Sequence, residues 1–180
     1  VGHEFAHGIT SENAKLVYSN ESGALNEAFS DIIGKAFEKI VDPDNFDWPI
    51  GHEIVATRFA RPLRSMQDPN IYNNPKMYKG KHWRDGGSVH SNSGVLNHWF
   101  YLLVEGGSGK NEVDTVYTVI PLEMQDILDI VFLCQTSYLM PGSTYPDMYT
   151  YSLLACESLF GINSQQYRSL EQAWKAVGLP

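Results

Sequence analysis

His3-Glu4-Phe5-Ala6-His7, followed by Asn20-Glu21-Ser22-Gly23-Ala24-Leu25-Asn26-Glu27-Ala28-Phe29-Ser30-Asp31, is the part of the chain whose reading decides the rest. On a helix, positions i and i+4 stand one turn apart on one face, so His3 and His7 can reach a single metal ion at ~2.0–2.1 Å. Glu4 is offset by ~100° around the axis, which suits a base acting on a metal-bound water. A catalytic zinc of the His₂Glu type takes one further carboxylate and leaves its fourth position to water. Glu27 can supply that carboxylate. Asp31, one turn further on, can accept a hydrogen bond from the far nitrogen of a ligating histidine and fix its tautomer. The plain alternative for Glu27 and Asp31 is a solvated helix face.

Outward from these stretches, the chain has 180 residues, 43% hydrophobic and 19% charged, which fits one domain with enough apolar surface to fold. Thirteen Lys and Arg against 21 Asp and Glu give a net charge of −8, the wrong sign for a phosphate-binding surface, so nucleic acid is not expected as a partner. No apolar run reaches the ~18–20 residues of a membrane span. The two cysteines, Cys134 and Cys156, leave one bridge or two buried thiols equally open. The chain opens inside the metal-binding pattern without a helix cap, and reads as a domain cut from something longer.

Apolar periodicity predicts a helix over 1–10, a second from about Ser22 to Val41 (Leu25, Ala28, Phe29, Ile32, Ile33, Ala36, Phe37, Ile40), and others over 93–105, 121–139, 147–160 and 164–177. Residues 42–90 concentrate prolines (Pro43, Pro49, Pro62, Pro69, Pro75) and carry no long periodic stretch. The expected fold is mainly α, a helical bundle with one long loop-rich segment.

Four blocks, in order, resemble the thermolysin-like family of zinc metallopeptidases: His3-Glu4-x-x-His7; Tyr18-x-Asn20-Glu21-Ser22-Gly23-Ala24-x-Asn26-Glu27-Ala28-x-Ser30-Asp31; Leu63-Arg64-Ser65-Met66-x-Asp68-Pro69; and Val89-His90-x-Asn92-Ser93-Gly94. Gln172-Ala173-Trp174-x-Ala176-Val177-Gly178 is similar to that family's carboxyl end, so the resemblance spans residues 1–180 and covers only the helical, carboxyl-terminal domain. It implies a zinc endopeptidase with Zn2+ held by His3, His7 and Glu27. Glu4 would be the general base on the zinc-bound water. Asp31 would orient His3, and Asn26 would lie just behind the ligands. Tyr18 and His90 would donate to the oxyanion, Asp85 would hold His90, and Arg64 would bind a substrate carbonyl and tie down the site floor. Ile50, Ile54 and Leu63 would line an apolar S1′ pocket selecting bulky apolar P1′ residues, although as plain sequence they read equally as core. The resemblance also implies protein or peptide substrates, secretion, a β-rich amino-terminal partner domain absent from this chain, and low activity without it.

Calcium departs from the pattern. Glu38 and Asp47 are retained, but Pro49 and His52 stand where acidic ligands are expected, too thin a set for a Ca2+ pair and enough for one weak ion at most. A further calcium loop is missing between Val55 and Arg61. His98-Trp99-Phe100-Tyr101 is more aromatic than the pattern and points to packing against another layer. Two rival readings are a zinc-binding but catalytically silent module of the same fold and an aminopeptidase. The completeness of the site weighs against the first, and the Asn-Glu-Ser-Gly and Val-His-x-Asn-Ser-Gly blocks against the second.

Overall fold

In the computed structural model, which describes residues 1–51 and 62–180, the chain is built around one long helix. Helix α1 is Gly2–Glu12 and α2 is Asn20–Val41; they are followed by short strands β1 (Pro49–Ile50) and β2 (Arg64–Ser65) and a 3-10 turn at Pro69–Tyr72. Next come α3 (Val89–Asn92), α4 (Gly94–Glu105), strands β3 (Gly107–Lys110) and β4 (Val116–Val119), α5 (Met124–Leu133), α6 (Tyr145–Phe160) and α7 (Gln165–Ala176). The mainly α expectation holds. No helix among the described residues is long and apolar enough to cross a membrane.

Helix α2 is buried on every side from Ser22 to Ile32. Its apolar side (Leu25, Phe29, Ile32) joins Leu96, Trp99, Phe100 and Leu103 of α4 in the core. Its polar side (Asn26, Glu27, Ser30, Asp31) is covered as well, so the solvated-face alternative for Glu27 and Asp31 fails. Glycine makes the close approach between α1 and α2: a Cβ on Gly34 would lie 3.3 Å from the His3 backbone nitrogen, and one on Gly2 would lie 3.3 Å from the Gly34 Cα. At the other end, a Cβ on Gly23 would meet Val89 at 2.5 Å and the Tyr18 backbone at 2.9 Å, so that position brings Tyr18 and α3 against α2.

The expected helix over 121–139 begins later and changes pitch. Glu123 is extended (φ −62°, ψ 134°), α5 starts at Met124, and the chain widens to a π-turn at Cys134–Tyr138. There the buried Gln135 accepts a 2.8 Å hydrogen bond from the Thr10 hydroxyl of α1. Helix α6 starts two residues before its expected position, at a Thr144/Asp147 capping box with Pro146 in its first turn. Helix α7 is capped by Ser164, whose hydroxyl accepts from Tyr167 N at 3.0 Å. The strands form two small antiparallel pairs, β1–β2 with Ile50 opposite Arg64, and β3–β4 with Gly107 opposite Val119. The second hairpin lies where no strand is expected from the sequence, because Gly107-Ser108-Gly109-Lys110 is exposed throughout and has no alternation to read.

Cys134 and Cys156 are free, buried thiols. Burial pushes Cys156 up to about 12 and Cys134 higher still. The aromatic run pairs as expected of a packed layer: Trp99 lies 5.0 Å from Trp174, and Phe100 and Tyr101 lie 6.1 and 5.2 Å from Trp48.

His98, stacked on Tyr101 at 6.0 Å and 3.3 Å from the Met66 carbonyl, is buried, and that burial holds its imidazole down at about 4 against an ordinary 6.5. The unfolded chain therefore takes the proton first. The stability contributed by neutral His98 is whole above about pH 6.5 and is lost as pH falls toward 4, by about 3 kcal/mol. His98→Phe, which keeps the stacking, is expected to flatten the fall in urea-unfolding free energy across that window. An unchanged slope would show that His98 is not the group responsible.

Candidate metal centre

Helices α1 and α2 bring three side chains to one point. His3 Nε2 and His7 Nε2 are 3.2 Å apart, His7 Nε2 lies 3.4 Å from Glu27 Oε1, and His3 Nε2 lies 3.7 Å from Glu27 Oε2. Among the described residues these three form the one group of histidine, cysteine or carboxylate side chains that could hold a metal ion. Ligands at ~2.0–2.1 Å from a tetrahedral ion stand about 3.3 Å from one another, so the spacing fits zinc. The outer nitrogens are tied down. His3 Nδ1 is 2.9 Å from Asp31 Oδ1 and His7 Nδ1 is 2.8 Å from Asn26 Oδ1, and Asn26 in turn donates to the Leu16 carbonyl at 3.2 Å. With acceptors on both Nδ1 atoms, both Nε2 lone pairs face inward.

Behind the ligands lies a buried ion pair. Arg64, 8% exposed, donates from Nε to Asp31 Oδ2 at 2.6 Å and from Nη2 to Asp31 Oδ1 at 2.7 Å and Glu27 Oε2 at 3.2 Å. Burial pulls the Asp31 carboxyl up, but Arg64, His3 and Asn97 outweigh it and hold the group at about 2. The hydrogen bond to Asp31 raises the His3 imidazole above its ordinary value, against burial. Arg64 is likewise raised, because Asp31 and Glu27 overcome its desolvation. Asn97, fully buried on α4, donates to Asp31 Oδ2 at 2.8 Å. The sequence reading missed Asn97; it lies 66 positions from Asp31 and carries no motif of its own.

Tyr18 and His90 arrive from outside the helix pair. The Tyr18 hydroxyl donates to Glu27 Oε1 and lies 3.3 Å from His90 Nε2, which is 3.4 Å from the same carboxylate oxygen. Burial, then the hydrogen bond to Glu27, pushes the Tyr18 phenol well above its ordinary value, so it keeps its proton as a donor. Glu4 is exposed on α1 and close enough to Tyr18 for its charge to add to that shift.

The expected pairing of Asp85 with His90 is not what the structure holds. Asp85 accepts from Trp83 Nε1 at 3.1 Å, and no hydrogen bond joins it to His90 among the described residues. Asp85 sits inside the Arg84–Gly87 turn, which is closed at 3.0 Å with Gly86 at φ +62°. His90 is placed by its backbone instead: its carbonyl accepts from Ser93 Oγ at 3.0 Å, and Asn92 bridges to Arg84 N at 3.2 Å and to Arg84 O at 2.9 Å. Tyr145 OH donates to the Asn92 carbonyl at 2.7 Å. Glu21 then accepts from Tyr145 N at 3.0 Å and Tyr78 OH at 3.1 Å, tying that loop back to the start of α2.

Of the expected apolar pocket, Ile50 is half-buried against the core, and Leu63, 53% exposed, donates its N–H to the Ile50 carbonyl at 2.9 Å. Ile54 and His52 lie outside the described residues. An apolar groove lined by Ile33, Phe37, Ile40, Leu128 and Phe132 opens between α2 and α5 and includes none of the metal-site residues.

The family described as thermolysin metallopeptidase, alpha-helical domain, matches residues 14–179. A bacillolysin of Brevibacillus brevis is 39% identical over 99% of this chain and 32% of its own length. A thermolysin of Alicyclobacillus acidocaldarius is 38% identical over the same shares. The chain therefore spans about a third of the length of these curated relatives. Among solved structures, the precursor of protealysin, a metalloproteinase from Serratia proteamaculans, superposes with a TM-score of 0.69 at 23% identity, covering 99% of this chain and 56% of that one, a likeness of fold.

Removing one member of a buried ion pair strands the other, at a cost of about 3–5 kcal/mol. Arg64→Met is expected to lower the urea-unfolding free energy by that amount, and Arg64→Lys to restore only part of it because an ammonium cannot span both Asp31 oxygens. A loss below about 1 kcal/mol for Arg64→Met would show that Asp31 does not depend on this partner.

Proposed function

We propose, from the premise that the chain belongs to the thermolysin metallopeptidase family, that it is the zinc-binding helical domain of a secreted endopeptidase. The observation that carries this reading is the convergence of His3 Nε2, His7 Nε2 and a Glu27 carboxylate at separations of 3.2, 3.4 and 3.7 Å. A bound zinc ion supplies Lewis acidity toward water and toward a peptide carbonyl. The chain's own groups then divide the work. Glu4, exposed beside Tyr18, takes the proton of the attacking water and returns it to the leaving amine. Negative charge grows on the carbonyl oxygen during attack, and donors waiting there favour the transition state over the bound substrate. Tyr18 and His90, 3.3 Å apart at the mouth of the site, are those donors.

Arg64 keeps Glu27 and Asp31 in position, and its Nη1, without a hydrogen-bond partner among the described residues, is the atom left to meet a substrate carbonyl. Leu63, exposed beside it, supports a preference for bulky apolar side chains at P1′. A second, β-rich domain supplies the opposite cleft wall in this reading, and without it positioning is incomplete and turnover slow.

Glu4→Gln is expected to leave zinc bound, by metal analysis, and to lower peptide hydrolysis at least 100-fold. Loss of zinc in that variant, or retention of rate, contradicts the assignment. Asn26→Ala is expected to weaken zinc binding about 10- to 100-fold in chelator competition; unchanged affinity would remove Asn26 from the site.

A further inference from the structure

The two acidic residues that the family resemblance marks for calcium face a cation that belongs to the chain. Lys35 of α2 is 4% exposed, and its ammonium donates to both Glu38 oxygens at 2.8 Å each and to Asp47 Oδ1 at 3.3 Å. An ammonium has three N–H donors, and here each has its own carboxylate oxygen. The Phe46 ring lies beside it, 5.5 Å from Nζ to the centroid. Calcium needs six to eight oxygens at 2.3–2.6 Å and tolerates no positive charge among them. Pro49 offers no side-chain oxygen, and the space between Glu38 and Asp47 holds Nζ.

We propose that Lys35 is the resident cation of this site, so that a covalently attached ammonium joins the carboxyl-terminal turns of α2 to the segment leading into β1 and calcium plays no part there. The consequence reaches the metal centre, because β1 pairs with β2, the strand that carries Arg64. A lysine brings one positive charge to the two acids where a divalent ion would bring two, and Pro49 adds no further carboxylate to be neutralised. The inference stands on family membership and these contacts and is independent of the peptidase reading.

Thermal unfolding of the zinc-loaded protein with and without millimolar CaCl2 tests it, together with Lys35→Met, Glu38→Gln and the double variant. The parent Tm is expected not to respond to calcium. Lys35→Met is expected to lower it by roughly 5 °C. The double variant is expected to lose less than the sum of the single losses, since neutralising Glu38 relieves the carboxylate that Lys35→Met strands. A calcium-dependent rise in the parent Tm, or additive losses, would overturn the proposal. If Lys35→Met does not fold, terbium luminescence of the parent decides: no saturable binding supports the proposal, and saturable binding abolished by Glu38→Gln overturns it.

Discussion

A guanidinium held between two carboxylates under the metal-binding face organises this molecule. Arg64 grips Asp31 through two donors at 2.6 and 2.7 Å and touches Glu27 at 3.2 Å, while the other side of Asp31 receives His3 Nδ1 at 2.9 Å. Charges this deep are costly to desolvate, and a hydrophobic replacement of the pair could be as stable. What the pair provides is direction. Asp31 is placed by Arg64 and Asn97, it fixes the tautomer of His3, and the histidine then has only one nitrogen to offer a metal.

The demand this places on the fold is met by α2. A helix buried on both sides must find partners for its polar residues without water, and here each half of the problem solves the other. The apolar side docks on α4 and α5, anchoring the helix, and the polar side is satisfied by α1, Arg64 and Asn97, which together make the site. Small residues at Gly23 and Gly34 set the helix separations on which those distances depend. Further along the same helix, Lys35 shows the same logic with the sign reversed: a buried cation completed by Glu38 and Asp47.

Much of the centre was legible in the chain because it is local. His3 and His7 are related by one helical turn, and so are Glu27 and Asp31, and a period is something a sequence displays. The groups that orient them are not local. Arg64 reaches Asp31 across 33 positions and was marked only by the block it stands in, and Asn97 reaches it across 66 with nothing in its neighbours to announce the partner. Asp85 differs again: the family resemblance implied a pairing with His90, whereas here its carboxylate accepts from Trp83. Lys35 was invisible for a third reason. One lysine in an amphipathic helix reads as solvent-facing, and only packing places it inside. The β3–β4 hairpin escaped because its first strand, Gly107–Lys110, buries nothing and therefore carries no pattern.

The claim on which all of this converges is that two imidazoles and one carboxylate from neighbouring helices bind one ion together. X-ray absorption at the zinc edge, combined with anomalous scattering from crystals of the zinc-loaded protein, measures that directly. One zinc per chain, within about 2.0–2.2 Å of His3 Nε2, His7 Nε2 and a Glu27 oxygen, is the predicted result. A zinc bound elsewhere, or held by the histidines with Glu27 still on Arg64 and Tyr18 and out of coordinating reach, would contradict it.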